Sequence, residues 1–246
     1  MHTVAKAIGM RAERFQASAT EKPFEPDTTA FVFPTQPLWS TVLTVEQVAF
    51  AFGSRTLFEK VSFSLERGDK LALCGPNGSG KTTLMRILLG ELEPCQGRVL
   101  IGGSTKVAYL SQGRTSVDLS LDVTELFRDF PSSEQTNARS LLGRLGIRGD
   151  SAKKKIGDLS VGERTKVELV RAVMSGANLL ILDEPTNHLD IPSLEALERA
   201  MIDFPGAILF TSHDRALVES VATARCYLSN SYQAEPDKDA QTRAET

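Results

Sequence analysis

Residues 75–82 combine glycine, proline, lysine and threonine in an order that suits phosphate binding. The stretch reads GPNGSGKT and lies between two apolar runs. Successive backbone N–H groups of such a turn can point into one concavity, and a helix that follows adds the positive end of its dipole. Lys81 would supply charge for the β- and γ-phosphates of a nucleotide, and Thr82 a hydroxyl for Mg²⁺. The pattern predicts a phosphate loop whose ligand contacts come from Gly75, Asn77, Gly78, Ser79, Gly80, Lys81, Thr82 and Thr83. An ordinary glycine turn would not require lysine and threonine at this fixed offset.

Two adjacent carboxylates follow an apolar run farther along the chain. Residues 178–185 read NLLILDEP, which is typical of a buried strand that ends at Asp183 and Glu184. Ligands of open α/β sheets bind at the carboxyl ends of the strands. We predict that Asp183 holds Mg²⁺, through water, and that Glu184 is the general base for the water that attacks the γ-phosphate. Alternatively, Asp183 and Glu184 have a structural role, in which they cap the strand or form a salt bridge.

Three shorter stretches are weak signals when each is taken alone. Residues 159–164 read LSVGER and predict a helix whose first N–H groups could bind an anion, although such a turn is also a common helix N-cap. Gln112 follows the run YLS, and His213 lies in TSHD. A single glutamine or histidine is more often structural than functional, so the argument depends on the order in which all these motifs occur.

In that order and spacing, the motifs resemble those of the ATP-binding cassette family. LSVGE resembles the LSGGQ signature, the segment around Gln112 resembles the glutamine loop, and the segment around His213 resembles the histidine switch. The resemblance covers about residues 40–230. It implies a P-loop ATPase that binds ATP and Mg²⁺ and hydrolyses ATP to ADP and phosphate.

The resemblance also implies roles for single residues. Phe52 would stack on adenine, Gln112 would sense Mg²⁺ and couple the core to a helical subdomain, and His213 would contact the γ-phosphate. Ser160 and Gly162 would close over ATP that is bound to a second cassette. Glu184, His213 and Gln112 are thus the predicted catalytic residues, and Thr82, Gln112 and Asp183 the predicted metal site.

Three positions depart from the family pattern. Val161 replaces the usual glycine of the signature and Glu163 the usual glutamine, which predicts a tighter or less attractive anion site. Phe52 keeps an aromatic face but lacks the hydroxyl of the usual tyrosine.

The stretch DEPTNHLD, residues 183–190, resembles the F subfamily of cassette proteins. Members of that subfamily carry two cassettes in one soluble chain and act on the ribosome as translation factors or in antibiotic resistance. The N-terminal AKAIGMRAERF resembles the end of the linker between the two cassettes, or else it is a solvated helix. The resemblance implies a C-terminal half that acts in the cytoplasm, needs a second cassette, and has the ribosome, rRNA or tRNA as partners. Two alternatives stay open: the ATPase subunit of a membrane transporter, and an inactive remnant.

The elements that must position these residues can be read from periodicity. Residues 41–65 alternate apolar and polar side chains around Gly53 and Ser54, which predicts an antiparallel hairpin. Short strands at residues 69–74, 97–101, 106–110, 178–182 and 207–211 and helices at 82–89, 162–174, 193–202 and 214–221 predict an α/β fold with a parallel-sheet core. A helical subdomain is predicted at about residues 113–158. Residues 1–39 are predicted to be a helix and a proline-rich linker, residues 40–230 a cassette domain, and residues 231–246 a disordered tail.

Composition limits the class of protein. The chain has 246 residues and 41% hydrophobic residues, which predicts a globular domain. Its net charge of −3 is not the strongly positive charge that is typical of nucleic-acid-binding domains. No apolar run is long enough to span a membrane, and we expect no direct membrane insertion. The three cysteines, Cys74, Cys95 and Cys226, lack a paired spacing, so we expect free thiols in the cytoplasm.

Overall fold

The computed structural model describes residues 41–111, 117–187 and 189–228. The predicted N-terminal helix and linker, Gln112 and the predicted C-terminal tail lie outside the described residues. The strands, in chain order, are β1 (Thr41–Phe52), β2 (Arg55–Glu66), β3 (Lys70–Cys74), β4 (Gln96–Ile101), β5 (Val107–Ser111), β6 (Leu179–Asp183), β7 (Ala207–Thr211) and β8 (Ala224–Tyr227). The α-helices are α1 (Lys81–Leu88), α2 (Ser132–Arg144), α3 (Val161–Met174), α4 (Ile191–Asp203) and α5 (Arg215–Val221).

A parallel sheet with the order β5-β6-β7-β3-β8 forms the centre of the fold. Its strands are short, and those in the middle are buried on both faces, as the apolar runs predict. The register aligns Ser111 with Asp183 and Asp183 with Thr211. The carboxyl ends of three neighbouring strands therefore lie side by side at one edge of the sheet, where the phosphate loop also emerges from β3.

A second, antiparallel sheet has the order β2-β1-β4. The predicted hairpin is confirmed, since β1 and β2 meet across a turn at Gly53 and Ser54 with Phe52 opposite Arg55. The pairing carries several register shifts of the kind that β-bulges produce in long strands.

The alternation of side chains along the central strands produces two hydrophobic clusters, one on each face. Leu180, Leu182, Ile208 and Phe210 face the cluster that also holds residues of α2, α3, α4 and α5. Leu179, Ile181, Ala207 and Leu209 face the cluster that holds α1 and the antiparallel sheet. Both faces of the sheet are thus covered, one by helices and the other by α1 and the antiparallel sheet.

Lys70, at the start of β3, is a charged residue inside this core and is only 4% exposed. Its Nζ donates hydrogen bonds to the backbone oxygens of Gly68, Phe204 and Gly206, at 3.1, 2.8 and 2.8 Å. Burial lowers the pKa of Lys70 to about 8, although the neighbouring Asp69 acts in the opposite direction. The side chain joins the loop before β3 to the turn between α4 and β7.

Between β5 and α3, the described residues 117–160 contain α2 and three short 3₁₀ turns, at Glu125–Phe127, Ser151–Lys153 and Ile156–Asp158, so helical turns are inserted there as predicted. The helix α3 follows before β6. The boundaries of the helical subdomain stay a prediction. Sequence periodicity did not indicate β8, which is four residues long and has only one fully buried position. No helix in the described ranges is long and apolar enough to cross a membrane.

Candidate nucleotide site

The phosphate loop joins β3 to α1 through glycines in left-handed conformations. Gly75, Gly78 and Gly80 have φ angles of 147°, 78° and 98°, a region that residues with a Cβ rarely adopt. A Cβ at Gly80 would come within 2.7 Å of the Phe58 ring. Gly80 is also the N-cap of α1 and has no side chain to bond the first N–H groups of the helix. Those donors are available to an anion.

Lys81, the first residue of α1, lies across the loop. Its Nζ donates hydrogen bonds to the carbonyl oxygens of Gly75 and Pro76, at 2.8 and 3.1 Å. Ser79 beside it is fully buried, and its Oγ has no hydrogen-bond partner among the residues that the structure describes. A lysine that bonds only to backbone carbonyls can transfer those bonds to phosphate oxygens, because a charge-assisted bond is the stronger one.

Asp183 bonds to hydroxyl groups on both sides. Its Oδ2 accepts a hydrogen bond from Thr82 Oγ1 at 3.0 Å, and its Oδ1 accepts one from Thr211 Oγ1 at 2.8 Å. The structure thus brings together the Thr82 hydroxyl and the Asp183 carboxylate beside the start of α1. A hydroxyl and one carboxylate, completed by phosphate oxygens and water, suit Mg²⁺, which seldom uses an all-protein cage.

Glu184 has an environment different from that of its neighbour. It adopts a left-handed backbone with φ 51°, and its N–H donates to Thr211 Oγ1 at 2.9 Å. Its Oε2 accepts a hydrogen bond from the backbone N–H of His213 at 3.1 Å. Among the residues that the structure describes, none donates a hydrogen bond to its buried Oε1, and His213 Nε2 lies 3.3 Å away in a geometry that is not a hydrogen bond. One carboxylate oxygen is therefore free to accept a proton.

These side chains line one cleft of about 580 Å³. Of the predicted residues, its walls include Phe52, Asn77, Gly78, Gly80, Lys81, Thr82, Thr83, Asp183, Glu184 and His213. Phe52 is 56% exposed and leans edge-on against Phe50, with ring centroids 5.0 Å apart. An exposed aromatic ring at the mouth of a cleft is available for stacking on a base.

Arg55 and Leu57 also line the cleft and were missed in the sequence. Arg55 lies opposite Phe52 across the two-residue turn. The predicted hairpin could have identified Arg55, because residues that flank a two-residue turn face each other and Phe52 was already a predicted site residue.

The signature turn, residues 159–164, begins α3 with a capping box. Glu163 N donates to Ser160 Oγ at 3.1 Å, and Ser160 N donates to Glu163 Oε2 at 2.9 Å. Ser151 Oγ donates to the other Glu163 oxygen at 3.2 Å. Partial burial raises the pKa of Glu163, but hydrogen bonds from Ser160 and Ser151 and attraction from Lys154 outweigh it, so the pKa lies below its ordinary value. The glutamate at this position therefore serves as an ionised cap.

Ser160 and Gly162 do not belong to the cleft. Both are among the described residues, and neither lines the cavity around Lys81. Ser160 is exposed, and Val161 beside it is 47% exposed. The structure thus brings the phosphate loop, Asp183, Glu184 and His213 together but leaves the signature turn apart.

Comparison with known proteins places these features in a family. The family described as "ABC transporter" matches residues 58–187. Ribosome protection protein VmlR of Bacillus subtilis (strain 168) is 36% identical over 92% of this chain and 41% of its own length. Energy-dependent translational throttle protein EttA of Escherichia coli (strain K12) is 37% identical over 87% of this chain and 40% of its own. ABC transporter F family member 5 of Arabidopsis thaliana is 36% identical over 82% of this chain and 30% of its own. The chain thus spans less than half the length of each.

Solved structures agree on the fold. A metal-chelate type ABC transporter in an inward-facing conformation matches with a TM-score of 0.67 and 27% identity, over 80% of this chain and 83% of that one. A nucleotide-free ATP-binding cassette from an ABC transporter matches with a TM-score of 0.65, over 82% and 94% of the two chains, and at 19% identity it supports the fold alone. With the phosphate loop, the paired carboxylates and the signature turn in these positions, the chain belongs to the ATP-binding cassette family, and its curated sequence relatives are of the F type.

Proposed function

We propose that this chain is an ATP-hydrolysing cassette that acts on the ribosome and needs a second cassette to complete its site. The observation that carries the hydrolytic part is the contrast between the two adjacent carboxylates. Both oxygens of Asp183 accept hydrogen bonds from threonine hydroxyls, whereas the buried Glu184 Oε1 has no donor within the described part of the chain.

Each residue of the cleft has its own role in the proposed phosphoryl transfer. Lys81 and the N–H groups at the start of α1 bind the β- and γ-phosphates, and Phe52 stacks on the base. Glu184 Oε1 accepts a proton from the attacking water, and His213, held next to Glu184 by its backbone N–H, contacts the γ-phosphate. Gln112 is assigned to metal sensing by the family resemblance alone.

Thr82 and Asp183 would hold Mg²⁺ in this proposal. The hydroxyl and the carboxylate lie 3.0 Å apart, and both are oxygen ligands of the kind that Mg²⁺ accepts. The metal would neutralise charge on the phosphate oxygens. Thr211 keeps the Asp183 carboxylate in place from the other side.

A second cassette is needed because Ser160 and Gly162 are not part of the cleft that contains Lys81. In the proposed head-to-tail arrangement, the signature turn of one cassette closes the nucleotide site of the other. A lone monomer would then hydrolyse ATP slowly.

The ribosome is proposed as the partner on the basis of the relatives. Two of them are named a ribosome protection protein and a translational throttle protein, and the identity to each extends over most of this chain. This proposal places the chain in the cytoplasm, with rRNA or tRNA within reach.

Co-sedimentation tests the proposal. Tagged protein is centrifuged through sucrose with purified ribosomes and a slowly hydrolysed ATP analogue, in parallel with ADP. We expect pelleting with the analogue only, and expect Lys81→Ala to stay in the supernatant under both conditions. Equal recovery of wild type and Lys81→Ala in the pellet, or none of either, would contradict the ribosomal proposal.

The second candidate is the ATPase subunit of a membrane transporter. It is favoured by the match to a metal-chelate type transporter at 27% identity. In that case the protein should sediment with membrane vesicles that contain a permease encoded beside it. Adding ribosomes should then not change the amount of protein that sediments.

A further inference from the structure

Positive charge is concentrated in one part of the chain, which we call the basic segment, residues 139–155. It contains six cations and one acidic residue, a net charge of +5, while the whole chain carries −3. The remainder therefore carries −8, from −3 minus +5. Such segregation is the footprint expected for a polyanion-binding patch on an otherwise acidic protein.

Five of the six cations of this segment are exposed, and Arg144 is half-buried. The exposed ones are Arg139, Arg148, Lys153, Lys154 and Lys155. Across the ranges that the structure describes, none of these five side chains forms an ion pair. Their charges are not neutralised at short range, although Lys154 attracts Glu163 from a longer distance.

The lysines project from a fixed turn. Lys153 N donates to the carbonyl of Asp150 at 3.0 Å, and the carbonyl of Lys154 accepts a bond from Val123 N at 3.3 Å. Lys155 forms an isolated β-bridge with Asp122. A preorganised backbone reduces the entropy lost when the charged side chains bind.

Two acidic residues near the basic segment, Asp122 and Glu163, accept hydrogen bonds from other groups. The Asp122 carboxylate accepts bonds from Thr124 Oγ1 at 2.6 Å and Glu125 N at 2.7 Å. Glu163 accepts bonds from Ser160 and Ser151. Asp150 and Asp158 are the exposed carboxylates that flank the lysines. The lysines therefore outnumber the free carboxylates around them.

We propose that the basic segment is a docking surface for the phosphate backbone of helical RNA. This rests on the proposed ribosomal function for the choice of RNA. The segment contains no aromatic residue. Single-stranded nucleic acid is bound largely by stacking its bases on aromatic side chains, whereas helical RNA is bound through phosphates and shape.

The test is fluorescence anisotropy with a labelled RNA duplex of about 20 base pairs, at salt concentrations from about 50 to 200 mM. The variant Lys153→Gln/Lys154→Gln is compared with Lys60→Gln/Lys106→Gln, which removes the same charge at two exposed sites elsewhere. We expect about 10- to 100-fold weaker binding for the first variant and a salt slope reduced by about two. The second variant should bind like wild type.

Three outcomes would overturn the proposal. Equal losses in the two double variants would mean that only net charge matters. Tighter binding to the single strand of the same sequence would reject helical RNA. Equal competition by polyglutamate of the same charge would assign the surface to an acidic protein. Because the duplex assay contains no ribosomes, its failure is distinct from failure of the sedimentation experiment.

Discussion

Asp183 and Glu184 are neighbours in sequence but differ in what their oxygens contact. Asp183 is held by Thr82 and Thr211. Glu184 has a left-handed backbone, its Oε2 accepts a hydrogen bond from His213 N, and no described residue donates to its Oε1. A non-glycine residue in that conformation costs on the order of 1–3 kcal/mol, a cost that is common at functional sites. At the scale of single residues, this difference is the basis for proposing Asp183 as a metal ligand and Glu184 as the general base.

Lys81→Ala should weaken ATP binding without unfolding the protein. The Lys81 ammonium bonds only to loop carbonyls, so its removal leaves the core intact. We expect about 10- to 100-fold weaker affinity in calorimetric titration, since a charge-assisted bond to phosphate is lost. A variant that keeps both its thermal melt and its ATP affinity would show that Lys81 does not contact phosphate.

Glu184→Gln should slow hydrolysis and preserve ATP binding. Glutamine keeps the shape and can still accept a bond from His213 N, but it cannot take a proton from water. The expected loss in turnover is about 10²- to 10⁴-fold, measured as phosphate release under conditions where a second cassette is present. Glu219→Gln, an exposed change on α5, is the matched control. Equal rates in all three proteins would reject the assignment of the base.

At the scale of elements, β3 must be fixed at both ends for the phosphate loop to have a defined position. Its carboxyl end continues into the loop, and its amino end is tied by Lys70 to the turn between α4 and β7. The same turn precedes β7, which ends at Thr211, the partner of Asp183. A buried lysine thus holds in register two strands whose ends form the site.

Lys70→Met should destabilise the fold by about 2–3 kcal/mol. The change leaves the carbonyls of Phe204 and Gly206 buried without their donor, which costs more than the apolar side chain recovers. Urea unfolding at pH 7 measures the difference. Lys106→Met, at an exposed site, is the control and should change stability by less than about 0.5 kcal/mol. A Lys70→Met protein as stable as wild type would mean that the three bonds contribute nothing.

The stability of wild type relative to Lys70→Met should also depend on pH. The folded-state pKa of Lys70, about 8, lies below the ordinary value of 10.5. Between these values the unfolded chain binds more protons than the folded one, so wild type gains stability as the pH rises through this window. The gain should be on the order of 2–3 kcal/mol by pH 10.5 and absent below pH 8. A parallel pH dependence of the two proteins would contradict the lowered pKa.

At the scale of the whole molecule, the cleft around Lys81 and the signature turn are separate parts of the chain, and the proposed mechanism uses a second cassette to bring them together. The cleft contains the phosphate loop, and the signature turn is outside it. An isologous pairing of two chains would complete two sites at once, because each contact is repeated by symmetry. ATP that binds only the closed pair would stabilise it by mass action.

Glu184→Gln with Mg-ATP should therefore accumulate as a dimer, or as a complex with a separate cassette, that wild type forms only briefly. Size-exclusion chromatography with light scattering at tens of micromolar protein distinguishes the two states. The double variant Lys81→Ala/Glu184→Gln should remain monomeric, since it cannot bind the nucleotide that links the chains. If Glu184→Gln also stays monomeric at saturating ATP and hydrolyses at the wild-type rate, the composite site is wrong.

The sequence by itself determined the family, the fold class and most of the cleft. A phosphate loop has a fixed local spacing, and buried strands and amphipathic helices have fixed periods, so both can be recognised without knowing what packs where. Of the cleft residues, Asn77, Gly78, Gly80, Lys81, Thr82, Thr83, Asp183 and Glu184 follow from such local patterns, and Phe52 and His213 follow from the family resemblance. Arg55 and Leu57 of the cleft were missed, and so was β8, because a four-residue strand with one fully buried position has no clear period.

Only the tertiary structure decided how the distant parts meet. Thr211 holds Asp183 across 28 positions and Thr82 holds it across 101, which no local pattern contains. The register of β5, β6 and β7 determines which side chains are neighbours on adjacent strands. A shift of one residue would turn Asp183 away from both threonines. Strand register depends on how both faces of the sheet pack, and packing is a property of the folded chain. The same reason explains why the exclusion of Ser160 from the Lys81 cleft became visible only in the structure.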